Sequence, residues 1–134
     1  MSRRTEAATV TNRQALAQIV VCFGCCCGQD QKGHPTVPVE WLKAEWKRRL
    51  LQKKVHLSIS GCLGPCDKSN VVAVMTPSGS TWLGGIEHQN QYRDLLDWAS
   101  LCDRAGAIQP LPHSLKRIEF ERFREGTGVQ TAVA

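Results

Sequence analysis

Apolar positions along this chain recur with two periods, and those periods lay out its elements. Gln18 to Phe23 (QIVVCF) is a short β-branched apolar run, which predicts a buried strand. The fifteen residues that follow, GCCCGQDQKGHPTVP, are too rich in Gly, Pro and Cys for regular structure and predict a loop. A helix opens at Val39, directly after Pro38. Its apolar stripe is Val39, Leu42, Trp46 and Leu50, which places Trp46 in the core. Val55, Leu57 and Ile59 alternate with His56, Ser58 and Ser60, the signature of a half-buried strand. Gly61 to Asn70 is a second Gly/Pro/Cys loop. Val71 to Met75 and Thr81 to Leu83 then predict two strands, joined into a hairpin by turn residues Pro77 to Ser80. A second helix spans Gln89 to Asp103 on the stripe Tyr92, Leu95, Leu96, Ala99 and Cys102. Gly106 ends it, and Pro110 and Pro112 prevent its continuation.

The order strand, helix, three strands, helix predicts an α/β domain: a small four-stranded mixed sheet covered by two helices. The expected organisation is a flexible N-terminus (1–17), the domain itself (18–106), and a partly disordered C-terminal extension (107–134). Within that extension Leu111 to Phe123 carries Leu115, Ile118, Phe120 and Phe123. This is too apolar for an inert tail, and it either packs back or docks a partner. No internal repeat is present.

Charge changes this picture little. Lys+Arg 17 against Asp+Glu 12 leaves +5, and the surplus is concentrated at Lys47, Arg48, Arg49, Lys53 and Lys54. Cations there complement the C-terminal end of a helix and face water. No recognition module or exposed aromatic set accompanies them, so nucleic acid is not an expected partner, and docking of an acidic protein is the main exception to the solvated reading. No apolar run is long enough to span a membrane, and no apolar stretch of signal-peptide length precedes the first strand. The expected location is therefore cytoplasmic and reducing, without membrane insertion.

Cysteine changes it decisively. Seven are present, and in a reducing compartment they read as metal ligands or redox groups before disulfides. One group, C22-F-G-C-C-C27, follows the first strand, and another, C62-L-G-P-C66, follows the second. Parallel neighbouring strands would bring both loops to one edge of the sheet. A pair of thiolates from each group completes either a tetrahedral zinc site or a two-iron cluster, and spacing alone does not separate the two. Cys22-x2-Cys25 is itself a zinc-knuckle spacing. Gly24, Gly28, Gly61 and Gly64 would let backbone N–H groups approach sulfur, while Phe23 and Leu63 would limit water. Dithiol chemistry of the C-x2-C kind belongs at a helix N-terminus, and here Gly28 to Pro38 intervenes. His34 reads as a solvated loop histidine, and Cys102, on an apolar stripe, as a small core residue. There is no phosphate-cradling glycine loop, no Ser/His/acid set and no nucleotide fingerprint, so an independent enzyme is not expected.

Cys22-x4-Cys27, then Cys62-x3-Cys66 followed by Val71 to Val74, with Ser60 to Cys66 (SGCLGPC) and Thr81-Trp-Leu-Gly84, resembles the thioredoxin-like [2Fe-2S] ferredoxins. That family includes free-standing ferredoxins and the two-iron subunit of NADH dehydrogenases. The resemblance covers residues 18–103. It implies a thioredoxin-like fold, one [2Fe-2S] cluster, and a soluble one-electron carrier serving a redox protein partner. It implies Cys22, Cys27, Cys62 and Cys66 as ligands, with Cys27 preferred because its separation from Cys22 matches the NADH-dehydrogenase form. Cys25 or Cys26 are the substitutes. Free-standing members are often dimers, so a homodimer is also implied. All-thiolate ligation implies a low potential, on the order of −400 mV as in plant-type ferredoxins. The competing reading is a four-cysteine zinc module that docks a protein partner.

Overall fold

The computed structural model describes residues 9–24, 26–29, 31 and 33–126. Cys25, part of the N-terminal segment and the end of the C-terminal extension lie outside the described residues. Strand β1 (Ala17–Cys22) is followed by α1 (Val39–Arg48), β2 (Val55–Ser60), a single 3-10 turn (Cys66–Lys68), β3 (Val72–Thr76), β4 (Gly79–Leu83) and α2 (Gln89–Ala105). The extension adds α3 (His113–Lys116) and β5 (Glu119–Phe120). The sheet order is β2-β1-β3-β4-β5. β1 and β2 run parallel, from Ala17 opposite Val55 to Cys22 opposite Ser60, and the remaining neighbours are antiparallel. The first four strands and two helices form the expected mixed α/β arrangement.

Burial explains why these segments form these elements. Ile19 and Val21 of β1, Val55 of β2 and Val72 to Val74 of β3 share one core with Leu42 and Trp46 of α1. The whole expected stripe of α2, Tyr92, Leu95, Leu96, Ala99 and Cys102, joins it. Each fully buried aliphatic side chain contributes about 1.5–3 kcal/mol by leaving water. The Trp46 indole N–H donates to the Val55 carbonyl at 2.7 Å, which ties α1 to the start of β2. Arg49 reaches from the end of α1 to Asp97 and Ser100 of α2, both at 3.0 Å. Part of the basic run thus holds the two helices together.

Three details depart from the sequence pattern. The hairpin turn shrinks to Pro77 and Ser78, because Gly79 (φ 133°) makes the left-handed step that proline cannot and already pairs with Thr76. A fifth strand is present: β5 pairs Phe120 with Trp82 and Glu119 with Leu83. Leu115 is fully buried, and the Trp98 indole donates to the Gln109 carbonyl at 2.7 Å. The described part of the extension therefore packs back onto the domain.

The third departure is at the end of α1. Leu50, placed by periodicity on the buried stripe, is 81% exposed, and Leu51 is buried in its stead. The helix stops at Arg48 and Leu50 adopts φ 56°. The Leu50 N–H then bonds to the Lys47 carbonyl and the Leu51 N–H to the Trp46 carbonyl, both at 3.1 Å. This is a Schellman closure with leucine where glycine is usual. A left-handed leucine costs roughly 1–2 kcal/mol. Leu50→Gly is expected to stabilise the fold by about 1 kcal/mol, about 4 °C in Tm. A drop in Tm on thermal denaturation would refute the strain assignment.

Candidate metal centre

The parallel register of β1 and β2 sets the site. Cys22 and Ser60 are partners at the ends of their strands, so the loops that follow leave side by side. The Phe23 N–H donates to the Ser60 carbonyl at 2.9 Å, and the Cys22 N–H to the Val71 carbonyl at 3.1 Å. The second loop is therefore stitched to the first at both of its ends.

Within this frame the thiols gather. Cys62 and Cys66 place their sulfurs 3.4 Å apart. Cys66 also hydrogen-bonds with Cys26, and Cys22 with Cys27. A tight pocket, too narrow to admit a water molecule, is lined by Cys22, Cys26, Cys62 and Cys66, with Leu63, Gly64, Pro65, Ser69 and Val71 completing its wall. Among the described residues its donors are thiol sulfurs and one serine hydroxyl, with neither histidine nor carboxylate in the lining. Cys27 sits one layer deeper, 1% exposed. Its sulfur accepts the Val71 N–H at 3.4 Å, and its S–H points to Ser69 Oγ at 3.5 Å. Of the four sequence-assigned cysteines, Cys22, Cys62 and Cys66 thus line the cavity, Cys27 lies beneath them, and Cys26 occupies the wall.

The thiol chemistry follows from this crowding. Burial, then the hydrogen bond that the Cys22 S–H makes to Cys27, pushes the Cys22 thiol up to about 12. The hydrogen bonds with Cys62 and Cys26 push the Cys66 thiol up to about 12. Neighbouring thiols disfavour each other's ionisation, and a cation placed among them would reverse that preference. Thiolate sulfur is the donor used by both zinc and iron–sulfur centres, so the donor set fits either. Among the described residues, no three His, Cys, Asp or Glu side chains are disposed about one point to hold a single ion. Cys102, by contrast, is core: it is fully buried, its thiol is raised by burial, and its sulfur accepts the Gln109 N–H at 3.3 Å.

Several residues that shape the site have no sequence signal. His34 is not a solvated loop residue: its Nδ1 donates to the Cys26 carbonyl at 2.6 Å, while the Gln29 N–H bonds the same oxygen at 3.2 Å. Asn70 is completely buried, one of few polar side chains in the core. Its Oδ1 accepts the Gly28 N–H at 2.8 Å, and its Nδ2 donates to the carbonyls of Pro35 (2.8 Å) and Ile86 (3.3 Å). From the extension, Arg122 lies over Trp82 at 5.3 Å and reaches Gly64 in the Cys62–Cys66 loop. A Cβ on Gly64, already at φ 118°, would stand 2.6 Å from the guanidinium. An asparagine in a loop reads as a turn former and a C-terminal arginine as solvated, so neither pattern distinguishes these two residues.

No family model matches the chain, and no curated protein matches it. Solved structures similar to it include the wild-type thioredoxin-like [2Fe-2S] ferredoxin from Aquifex aeolicus. That structure is 17% identical, with a TM-score of 0.48, over 81% of this chain and 100% of that one. Another structure of that ferredoxin is 18% identical, with a TM-score of 0.45, over 84% and 96%. A cysteine-to-serine variant is 19% identical, with a TM-score of 0.40, over 79% and 99%.

The three bonds of Asn70 make the loop arrangement testable. Asn70→Ala leaves the part-buried Gly28 N–H and Pro35 carbonyl and the buried Ile86 carbonyl without this partner and should destabilise the protein by about 2 kcal/mol. Asn70→Asp should cost at least as much, because a carboxylate has no N–H to offer Pro35 and Ile86. Urea denaturation measures both; an aspartate variant as stable as the parent would remove the assigned role.

Proposed function

We propose that this chain is a one-electron carrier that holds a single [2Fe-2S] cluster and passes electrons to a protein redox partner. The observation that carries the reading is the thiol-walled cavity where β1 and β2 end, fed by both cysteine loops. The proposed ligands are Cys22, Cys62, Cys66 and one thiolate from the Cys26–Cys27 pair. The family resemblance implies Cys27; the wall position of Cys26, beside Cys66, supports Cys26 instead. The cluster, when bound, supplies a centre that takes up and releases one electron.

The chain's own residues supply the surroundings. Leu63, Pro65 and Val71 keep the cavity apolar, which disfavours added charge there and so favours a low potential. The hydrogen bonds to the Cys26 carbonyl hold that loop in one arrangement. Cys62 is exposed and Cys66 half-buried, so this rim offers the shortest approach for a partner's cofactor. Cytoplasmic location, the absence of catalysis by the chain itself and self-association as a homodimer belong to the same proposal. No helix among the described residues is long and apolar enough to cross a membrane.

Anaerobically purified protein is expected to be brown, to contain equal iron and acid-labile sulfide, and to bleach with dithionite while an S = 1/2 EPR signal appears. A colourless protein carrying zinc overturns the carrier in favour of the docking module. For the fourth ligand, Cys26→Ser and Cys27→Ser are compared: the variant that loses the visible spectrum identifies it. Retention of the native spectrum by both would refute ligation from this pair.

A further inference from the structure

The sheet has two edges, and β2 forms one of them. Among the described residues, β2 pairs with another strand, β1, on one side only. On its outer side the Val55 N–H and C=O are taken by the Leu51 carbonyl and the Trp46 indole. Leu57 is satisfied differently. Its N–H donates to Gln52 Oε1 at 2.8 Å, and its C=O accepts from Gln52 Nε2 at 3.4 Å. One exposed side-chain amide thus fills both places that the peptide group of a neighbouring strand would fill. By strand alternation Ile59 turns its N–H and C=O to the same outer edge.

Beside this edge runs a groove of about 840 Å³ between α1 and β2. Its floor is apolar, formed by Trp46, Leu57 and Ile59, and the exposed Leu50 projects at its mouth. Lys47 and Lys53 rim it, with Lys43 further along, and among the described residues no carboxylate lines it. Leu50 reaches this position through the left-handed turn that ends α1.

We propose that the β2 edge and its groove bind an extended segment of a partner protein by strand addition, the segment alternating apolar and acidic side chains. Displacing the Gln52 amide frees Leu57 to pair with the incoming backbone. The apolar side chains settle on Leu57 and Ile59, and the carboxylates face the lysines. Charge decides between occupants. A second copy pairing through the same edge would bring lysine rim against lysine rim. Residues 127–134 of this chain (TGVQTAVA) contain no acidic side chain, and the side chains of residues 1–8 (MSRRTEAA) are net basic. The surface depends on neither the cluster nor its ligands.

The test uses the full-length protein and a fluorescein-labelled octapeptide of alternating glutamate and valine, read by anisotropy. Saturable binding is expected, with slowed amide exchange at Leu57 and Ile59. Lys47→Glu with Lys53→Glu should weaken binding about tenfold or more. Gln52→Ala should tighten it severalfold, because the competing amide is gone; thermal melts confirm that these surface variants fold. Backbone N-methylation along one edge of the peptide should abolish binding. Equal binding of the methylated peptide overturns strand addition, and equal binding of a lysine–valine peptide overturns the acidic partner. Equal competition by single-stranded DNA points to nucleic acid instead and also overturns it. Lack of saturation at millimolar peptide removes the site. Concentration-dependent dimerisation that protects Leu57 would assign the edge to a second copy.

Discussion

The amide of Asn70 holds together the parts of this protein that lack regular structure. In a low-dielectric interior a primary amide must satisfy donors and acceptor alike, and a site that does so admits very few loop arrangements. Here the acceptor is used by Gly28 in the first cysteine loop, and the donors by Pro35 further along that loop and Ile86 before α2. One side chain from the end of the second cysteine loop therefore determines where the first one lies. The thiols of Cys22, Cys26 and Cys27 on one side and of Cys62 and Cys66 on the other meet because these two loops cannot move independently.

The remainder of the molecule is arranged around that constraint. The parallel β1–β2 pair delivers both loops at one end of the sheet, and α1 and α2 bury the hydrophobic stripes that make the pair stable. From the other end of the sequence, the extension adds β5 and lays Phe120 and Phe123 edge-on to Trp82 at 6.4 and 5.8 Å. This brings Arg122 to the Cys62–Cys66 loop, beside Gly64. The strongly basic surface lies elsewhere, along the groove between α1 and the β2 edge. Electron transfer at the cysteine rim and recognition at the β2 edge would thus occupy neighbouring but separate surfaces, connected through the end of β2 from Ile59 to Cys62.

The regular elements were legible because each is selected by burial with a fixed period. The alternation at Val55, Leu57 and Ile59, the β-branched runs in β1 and β3, and the three-to-four stripe of α2 need only local geometry to be recognised. The stripe of α1 failed at a single position for a local reason as well. Periodicity assumes that the helix continues, and Leu50 lies beyond its end, where a left-handed turn sends it outward and brings Leu51 in. The extension was legible only in part. Its apolar residues marked it as more than a tail, but its pairing with β4 depends on how residues after Gly106 cross α2, which no periodic signal encodes.

Sequence alone determined the α/β class, the two cysteine loops and their positions after consecutive strands, because spacing along the chain carries that information. It also marked Trp46 and Cys102 as core, through the helical stripes on which they lie. Only the tertiary structure decided which thiols share a wall and which lies beneath, since Cys26 and Cys27 are adjacent in the chain and differ only in where the loop turns them. It likewise decided the roles of His34, Asn70, Gln52 and Arg122. Each of these residues acts through a hydrogen bond or a stacking contact fixed by the fold, and the chemistry of an isolated side chain does not specify its partner.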